Sequence, residues 1–150
     1  MQQSCGFQRF AMLACAVLAM CLVACARPDA EAGVRAGVAR LQEAIDARDA
    51  GDIEALLAED FFGDDGLDRQ GARRLAAGVF LRYRDVGARV GPVSVDLRGD
   101  RDAIARFTVL ATGGSGSALP ERGQLYQVET GWRLVDGDWR LLSAEWTPAL

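Results

Sequence analysis

The sequence predicts an α+β domain: three helices in the N-terminal part, packed on a mainly antiparallel sheet of four to five strands from the C-terminal part. Three observations predict it. Apolar residues recur at helical spacing as far as about Val86, they alternate with polar ones from Val93 onward, and Asp136-Gly137 separates two long apolar-rich runs.

Ahead of that domain, residues 1–24 have the zones of an export leader. Arg9 follows a short polar start, and Phe10 to Cys21 is an uncharged apolar run. A run of about a dozen residues falls short of the ~20 that span a bilayer as a helix, and Arg27, Pro28 and Asp29 follow it. The tetrapeptide Leu22-Val23-Ala24-Cys25 resembles the lipobox of bacterial lipoproteins. That resemblance implies acylation of Cys25 and anchoring in the cell envelope. Ala26, where an Asp would signal inner-membrane retention, implies the outer membrane and its periplasmic face. The expected division is therefore a leader over residues 1–24, a lipidated Cys with its tether over 25–30, and one domain over 31–150.

This division accounts for the cysteines. Cys5, Cys15 and Cys21 leave with the leader and Cys25 takes the lipid, so the domain has no disulfide and depends on a packed core. The chain has no His, and every cation is Arg. With Arg9 removed, 16 Arg face 21 carboxylates, a net charge of about −5 that offers no basic stripe to nucleic acid. A His-activated nucleophile, a Schiff-base lysine and a Cys/His zinc site are excluded by composition. No cofactor or metal is expected.

In the first helix, Val34, Val38, Leu41 and Ile45 share one face, and Gly51 is the expected left-handed terminator. Asp52 would cap a short second helix from Ile53 to Ala58. Glu59 to Gly66 reads as a loop or very short strand around Phe61-Phe62. Asp68 would cap a third helix ending near Val86, with Ala72, Leu75, Val79 and Val86 buried; Gly71 and Gly78 weaken it by about 1 kcal/mol each relative to Ala.

Strands are expected over Val93–Leu97 and Ala103–Ala111, joined at Gly99-Asp100, and over Gln124–Val135 and Asp138–Thr147, joined by a type I′ turn at Asp136-Gly137. Gly113–Ser117 reads as loop. The turn sets a register in which Leu134 faces Trp139, Trp132 faces Leu141, Thr130 faces Ser143 and Val128 faces Glu145; any bulge would exchange the two faces beyond it.

The element order, Leu57-Ala58-Glu59-Asp60-Phe61, Thr130-Gly131-Trp132-Arg133 and the run Asp138 to Trp146 resemble the nuclear-transport-factor-2-like superfamily, also called SnoaL-like or cystatin-like. The likeness spans nearly the whole domain. It implies a strongly curved, cone-like sheet around the helices with a pocket inside, and members that include isomerases and dehydratases as well as non-catalytic proteins. The expected function is non-catalytic binding of a small apolar ligand or a partner protein. The alternatives are a carboxylate-dependent isomerase or hydro-lyase and a structural subunit that forms a homodimer. Catalytic candidates are Asp60 and Glu145 as bases with Tyr83 and Tyr126 as donors. Pocket candidates are Trp132, Trp139, Leu141 and Tyr126. The acidic stretch Glu59 to Asp68 lacks an EF-hand pattern and is expected to serve turns and caps.

Overall fold

The computed structural model describes residues 29–114 and 122–149. The leader, Cys25 and most of the expected Gly/Ser loop lie outside the described residues. Helix α1 covers residues 29–46, α2 is Ala50–Leu56, β1 is Leu57–Gly63, and a single 3-10 turn, Asp64–Gly66, precedes α3, Arg69–Arg82. The remaining strands are β2 (Asp85–Val90), β3 (Ser94–Arg98), β4 (Asp102–Gly114), β5 (Arg122–Val135) and β6 (Asp138–Pro148).

The α+β class holds, with helices packed on one curved sheet. Its six strands exceed the four to five expected. Their order is β1-β6-β5-β4-β2, with β3 also on β4. β2 and β3 lie along the same edge of β4: Val90 pairs with Val109 and Ser94 with Arg106, so four steps face three across Gly91-Pro92-Val93. They are one edge strand interrupted where Pro92 offers no N–H. α3 stops at Arg82 instead of near Val86, and Asp85 and Val86, the last two residues expected in it, open this strand. Tyr83 closes α3 in an extended conformation, and Val86, Ala88 and Val90 then alternate inward.

The α1–α2 corner also departs from expectation. Arg48, not Gly51, takes the left-handed conformation (φ 58°), and Asp49, not Asp52, caps α2 by accepting from the N–H groups of Gly51 and Asp52 at 2.9 Å each. The guanidinium of Arg48 donates to the carbonyls of Phe80 and Arg84, tying this corner to the end of α3. Leu57 and Ala58 open β1 instead of closing α2, and β1 pairs in parallel with β6.

The expected hairpin at Asp136-Gly137 is present, both residues at positive φ, with Val135 opposite Asp138. Register follows expectation through Trp132–Leu141. Then Leu142 bulges out: Gly131 faces Ser143, Thr130 faces Ala144, Val128 faces Trp146 and Tyr126 faces Pro148. Beyond the bulge the two faces of β6 exchange, which places Trp146 on the helix-covered face and Glu145 on the other.

The core sits between α1 and the inner face of the sheet. Val34, Val38, Leu57, Phe61, Ala103, Ala105, Phe107, Trp132, Trp139 and Leu141 form one cluster. A second, Ala44, Ile53 and Phe80, joins the C-terminal halves of α1 and α3. α1 approaches the sheet closely because two of its inward positions are glycines. A Cβ on Gly33 would lie 2.6 Å from the Trp139 ring, and one on Gly37 2.6 Å from the Trp132 ring. α1 also finishes the open sheet edge. Asp46 Oδ1 accepts from the Ala88 N–H at 3.0 Å, Gln42 Oε1 accepts from the Val90 N–H at 3.3 Å, and Arg35 donates to the Val93 carbonyl. Edge groups that could template another strand are thereby satisfied.

These contacts separate two glycines that look alike in sequence. Gly37→Ala should lower unfolding free energy by about 1–3 kcal/mol, because the Trp132 ring is held in the core and cannot yield. Gly78→Ala, where nothing lies within 4 Å, should raise it by about 0.5–1 kcal/mol through helix propensity alone. Urea denaturation of both variants measures the contrast, and equal effects would refute the packing account.

Candidate functional site

The inner face of the sheet has two regions. At the end bearing the β5–β6 turn it is full. Trp132 is 1% exposed, and Trp139 and Leu141 are buried beside it, so these three pocket candidates fill the cone. The buried Trp132 Nε1–H donates to Thr130 Oγ1 at 2.9 Å, and that hydroxyl donates to the Ala105 carbonyl at 3.2 Å. This chain satisfies the one polar atom of the indole inside an apolar space. Thr130→Val keeps the shape and strands the indole N–H. It should cost about 1–3 kcal/mol in a denaturant titration; a variant as stable as the parent would show that the hydroxyl is dispensable.

Toward the other end the space opens into a mouth. Tyr126, the fourth pocket candidate, lies on the inner face of β5, half-buried, opposite Val109 and Pro148. With Trp146, Pro148, Leu67 and Leu75 it lines a recess of about 520 Å³, and Asp64 and Asp65 form the polar rim. Leu75, expected in the buried stripe of α3, is 51% exposed here, and Trp146 is 38% exposed. The rim is pinned to the sheet, since Asp64 Oδ2 accepts from the Trp146 N–H at 3.1 Å.

The carboxylate candidates are elsewhere. Asp60 is on β1 with its side chain 67% exposed, and Oδ2 accepts from Arg133 Nη1 at 3.0 Å. Arg133 Nε donates to Asp102 Oδ1 at 3.3 Å. The hydrogen bond it donates to Asp102 first, and then the one it donates to Asp60, hold the pKa of this guanidinium above its ordinary value. Glu145 stands on the outer face opposite Glu129, whose Oε2 accepts from Arg106 Nε at 2.7 Å. The Trp-lined face expected for Glu145 is the one it left at the Leu142 bulge. Tyr83 ends α3, with the Arg82 guanidinium 5.8 Å from its ring centroid and Gly113 against the ring. The four catalytic candidates are thus spread over both faces and two ends of the sheet.

The acidic stretch has structural work in three of its members: Asp60 on Arg133, Asp64 on the Trp146 N–H, and Asp68 capping α3 at the Gly71 N–H. Among the described residues no three of His, Cys, Asp and Glu converge as metal ligands. Sequence reading did not select Leu67, Leu75, Pro148, Asp64 or Asp65 for the mouth. A signal for the bulge that brings Trp146 there was present: Gly131, a glycine in mid-strand, where a Cβ would meet Ser143 Oγ at 2.5 Å.

No protein-family model matches the chain, and no curated protein matches it. Solved structures do. The hexachlorocyclohexane dehydrochlorinase LinA-type3 from Novosphingobium barchaimii LL02 is similar with a TM-score of 0.69 at 15% identity, over 83% of this chain and 90% of that one. A protein of the NTF2-like family from Streptomyces avermitilis is similar with a TM-score of 0.66 at 20% identity, over 82% and 99%. A cystatin-like-fold protein from Caulobacter vibrioides gives 0.69 at 10%, over 80% and 89%. At such identities the likeness is one of fold: the chain has the α+β fold of nuclear-transport-factor-2-like and cystatin-like proteins.

Proposed function

We propose that this protein is a lipid-anchored, non-catalytic envelope protein that binds a small apolar molecule at the mouth of its cone. The observation that carries the reading is the division of the inner face. Trp132 and Trp139 occupy the depth of the cone, while Trp146, Tyr126, Leu67 and Leu75 form the apolar part of a recess open at its wide end, with Asp64 and Asp65 on its polar side. A concave apolar surface with a few polar groups at its rim suits a ligand held by burial and oriented by one or two hydrogen bonds. The Tyr126 hydroxyl and the Asp65 carboxylate are the groups available for that orientation. The isomerase alternative would require a base in apolar surroundings, whereas Asp60 is ion-paired in water and Glu145 is on the outer face.

The ligand reading is tested with N-phenyl-1-naphthylamine, an apolar probe that fluoresces on burial. Trp146→Ala should raise its Kd about 5- to 10-fold, roughly 1–1.4 kcal/mol, while Tm moves little because the indole is partly exposed. An unchanged Kd would remove the mouth as the site.

The anchor reading rests on Leu22-Val23-Ala24-Cys25 behind its apolar run. Several acyl chains, at about 0.8 kcal/mol per buried CH₂, make such anchoring stable. Cys25→Ser should abolish labelling by radioactive palmitate and leave the protein unprocessed at its leader. If the variant is labelled and processed as before, Cys25 is not the lipid attachment point.

A further inference from the structure

α3 carries a charge pattern unlike the rest of the chain. Between Asp68 and Asp85 there is no carboxylate, and Arg69, Arg73, Arg74, Arg82 and Arg84 lie in that interval, although the protein as a whole is acidic. Ala72, Ala76, Val79 and Phe80 turn to the two cores. The opposite side presents Arg73, Arg74, Gly78, Leu81 and Arg82 to solvent. Leu81 is 88% exposed, the most exposed large apolar side chain described, and Leu75 stands on the same helix at the mouth. Glu54 engages Arg73 at 3.2 Å, and its carbonyl accepts from Arg69 Nε. No described carboxylate bridges Arg74, Arg82 or Arg84.

We infer that this face of α3 docks on the anionic headgroups of the membrane leaflet that holds the anchor. Two arguments favour a lipid surface as the occupant, the second of them resting on the proposed anchor. The first is charge complementarity: an arginine near an anionic leaflet contributes about 1 kcal/mol, and an exposed leucine between arginines can enter the headgroup boundary. The second is the position of the tether. Four Cα steps of 3.8 Å separate Cys25 from Asp29, so a lipid on Cys25 stays within about 15 Å of the start of α1. α1 begins beside Trp139 and meets α3 in its C-terminal half, through Ala44 and Phe80, so a leaflet reached from the start of α1 meets α3 by lying along the length of α1. The turn end of the sheet is acidic instead: Arg98 and Arg101 lie among five aspartates, Asp96, Asp100, Asp102, Asp136 and Asp138.

Docking by α3 brings the mouth close to the leaflet, because Leu75 at the mouth stands on the same helix as the docked face. This deepens the proposed function and rests on it: the apolar ligand then enters from the leaflet, not from bulk water.

The experiment uses the lipidated protein in vesicles of phosphatidylethanolamine and phosphatidylglycerol at 3:1, with a lipid-borne quencher. A fluorophore is placed by Gly78→Cys on the α3 face or by Leu125→Cys on the outer face of the sheet. Quenching should be at least threefold stronger at Gly78. The difference should vanish when Arg74→Glu and Arg82→Glu are combined, or when phosphatidylcholine replaces phosphatidylglycerol. Equal quenching at the two positions, or quenching indifferent to phosphatidylglycerol, would overturn the inference and leave an acidic protein as the partner for the patch. If the protein fails to cofractionate with vesicles, the anchor reading fails alone. Labelled protein with excess anionic vesicles then still decides the docking, by the same threefold criterion.

Discussion

The structure depends on the contact between two indoles and the backbone of one helix. Trp132 and Trp139 project from adjacent strands of a hairpin, and α1 meets them with Gly37 and Gly33 instead of side chains. A helix that approaches this closely excludes any cavity between itself and the sheet at that end. The indole of Trp132 could not occupy such a space with a bare N–H, so the Thr130 hydroxyl and the Ala105 carbonyl complete the arrangement. Residues 31–150 contain no cysteine, so the stability of the domain must come from packing of this kind. The same packing decides where a ligand can go, since the volume nearest the hairpin turn is already taken by protein.

One residue governs the remainder of the inner face. Without Leu142 in excess, strict alternation would put Glu145 among the aromatics and Trp146 outside. With it, β6 changes faces at mid-length, and an apolar indole replaces a carboxylate at the mouth. This turns a candidate for acid–base chemistry into a surface for apolar contact. The difference is one of register, not composition, which is why the list of residue types could not supply it.

Much of the fold was legible because its signals were local. The 3.6-residue repeat of Val34, Val38, Leu41 and Ile45 is a property of α1 alone, and Asp136-Gly137 dictates its turn through the positive φ that both residues adopt. The features that were not legible involve partners distant in sequence. β2 was hidden because Val86 also fits the helical stripe of α3. Only pairing with Val109 to Gly114 makes Asp85–Val90 a strand. Asp46, Gln42 and Arg35 look like a solvated helix face, yet they close the edge of β2 and its continuation at Val93. Leu75 fits the buried stripe by spacing but meets the mouth instead of the core. Of the site itself, Tyr126 was legible by its alternation with polar neighbours; Trp146 and Pro148 required the bulge, and Leu67 and Leu75 the placement of α3.

A fold shared with a dehydrochlorinase does not bring dehydrochlorinase chemistry, because activity resides in the side chains placed on the fold. In this chain those side chains sort by face. The outer face is built from ion pairs, Arg106 with Glu129 and Arg133 with Asp60 and Asp102, together with the exposed pair Leu110 and Leu125. The inner face is apolar throughout its filled part, with hydroxyls in place of charges. A carboxylate paired to an arginine at the surface stays hydrated, the opposite of the desolvated state in which a base gains strength. The separation of charge from the apolar space therefore favours retention of a molecule over its conversion. At the mouth, where Asp64 and Asp65 approach Trp146 and Tyr126, polar groups and an open apolar surface come together on the inner side of the sheet.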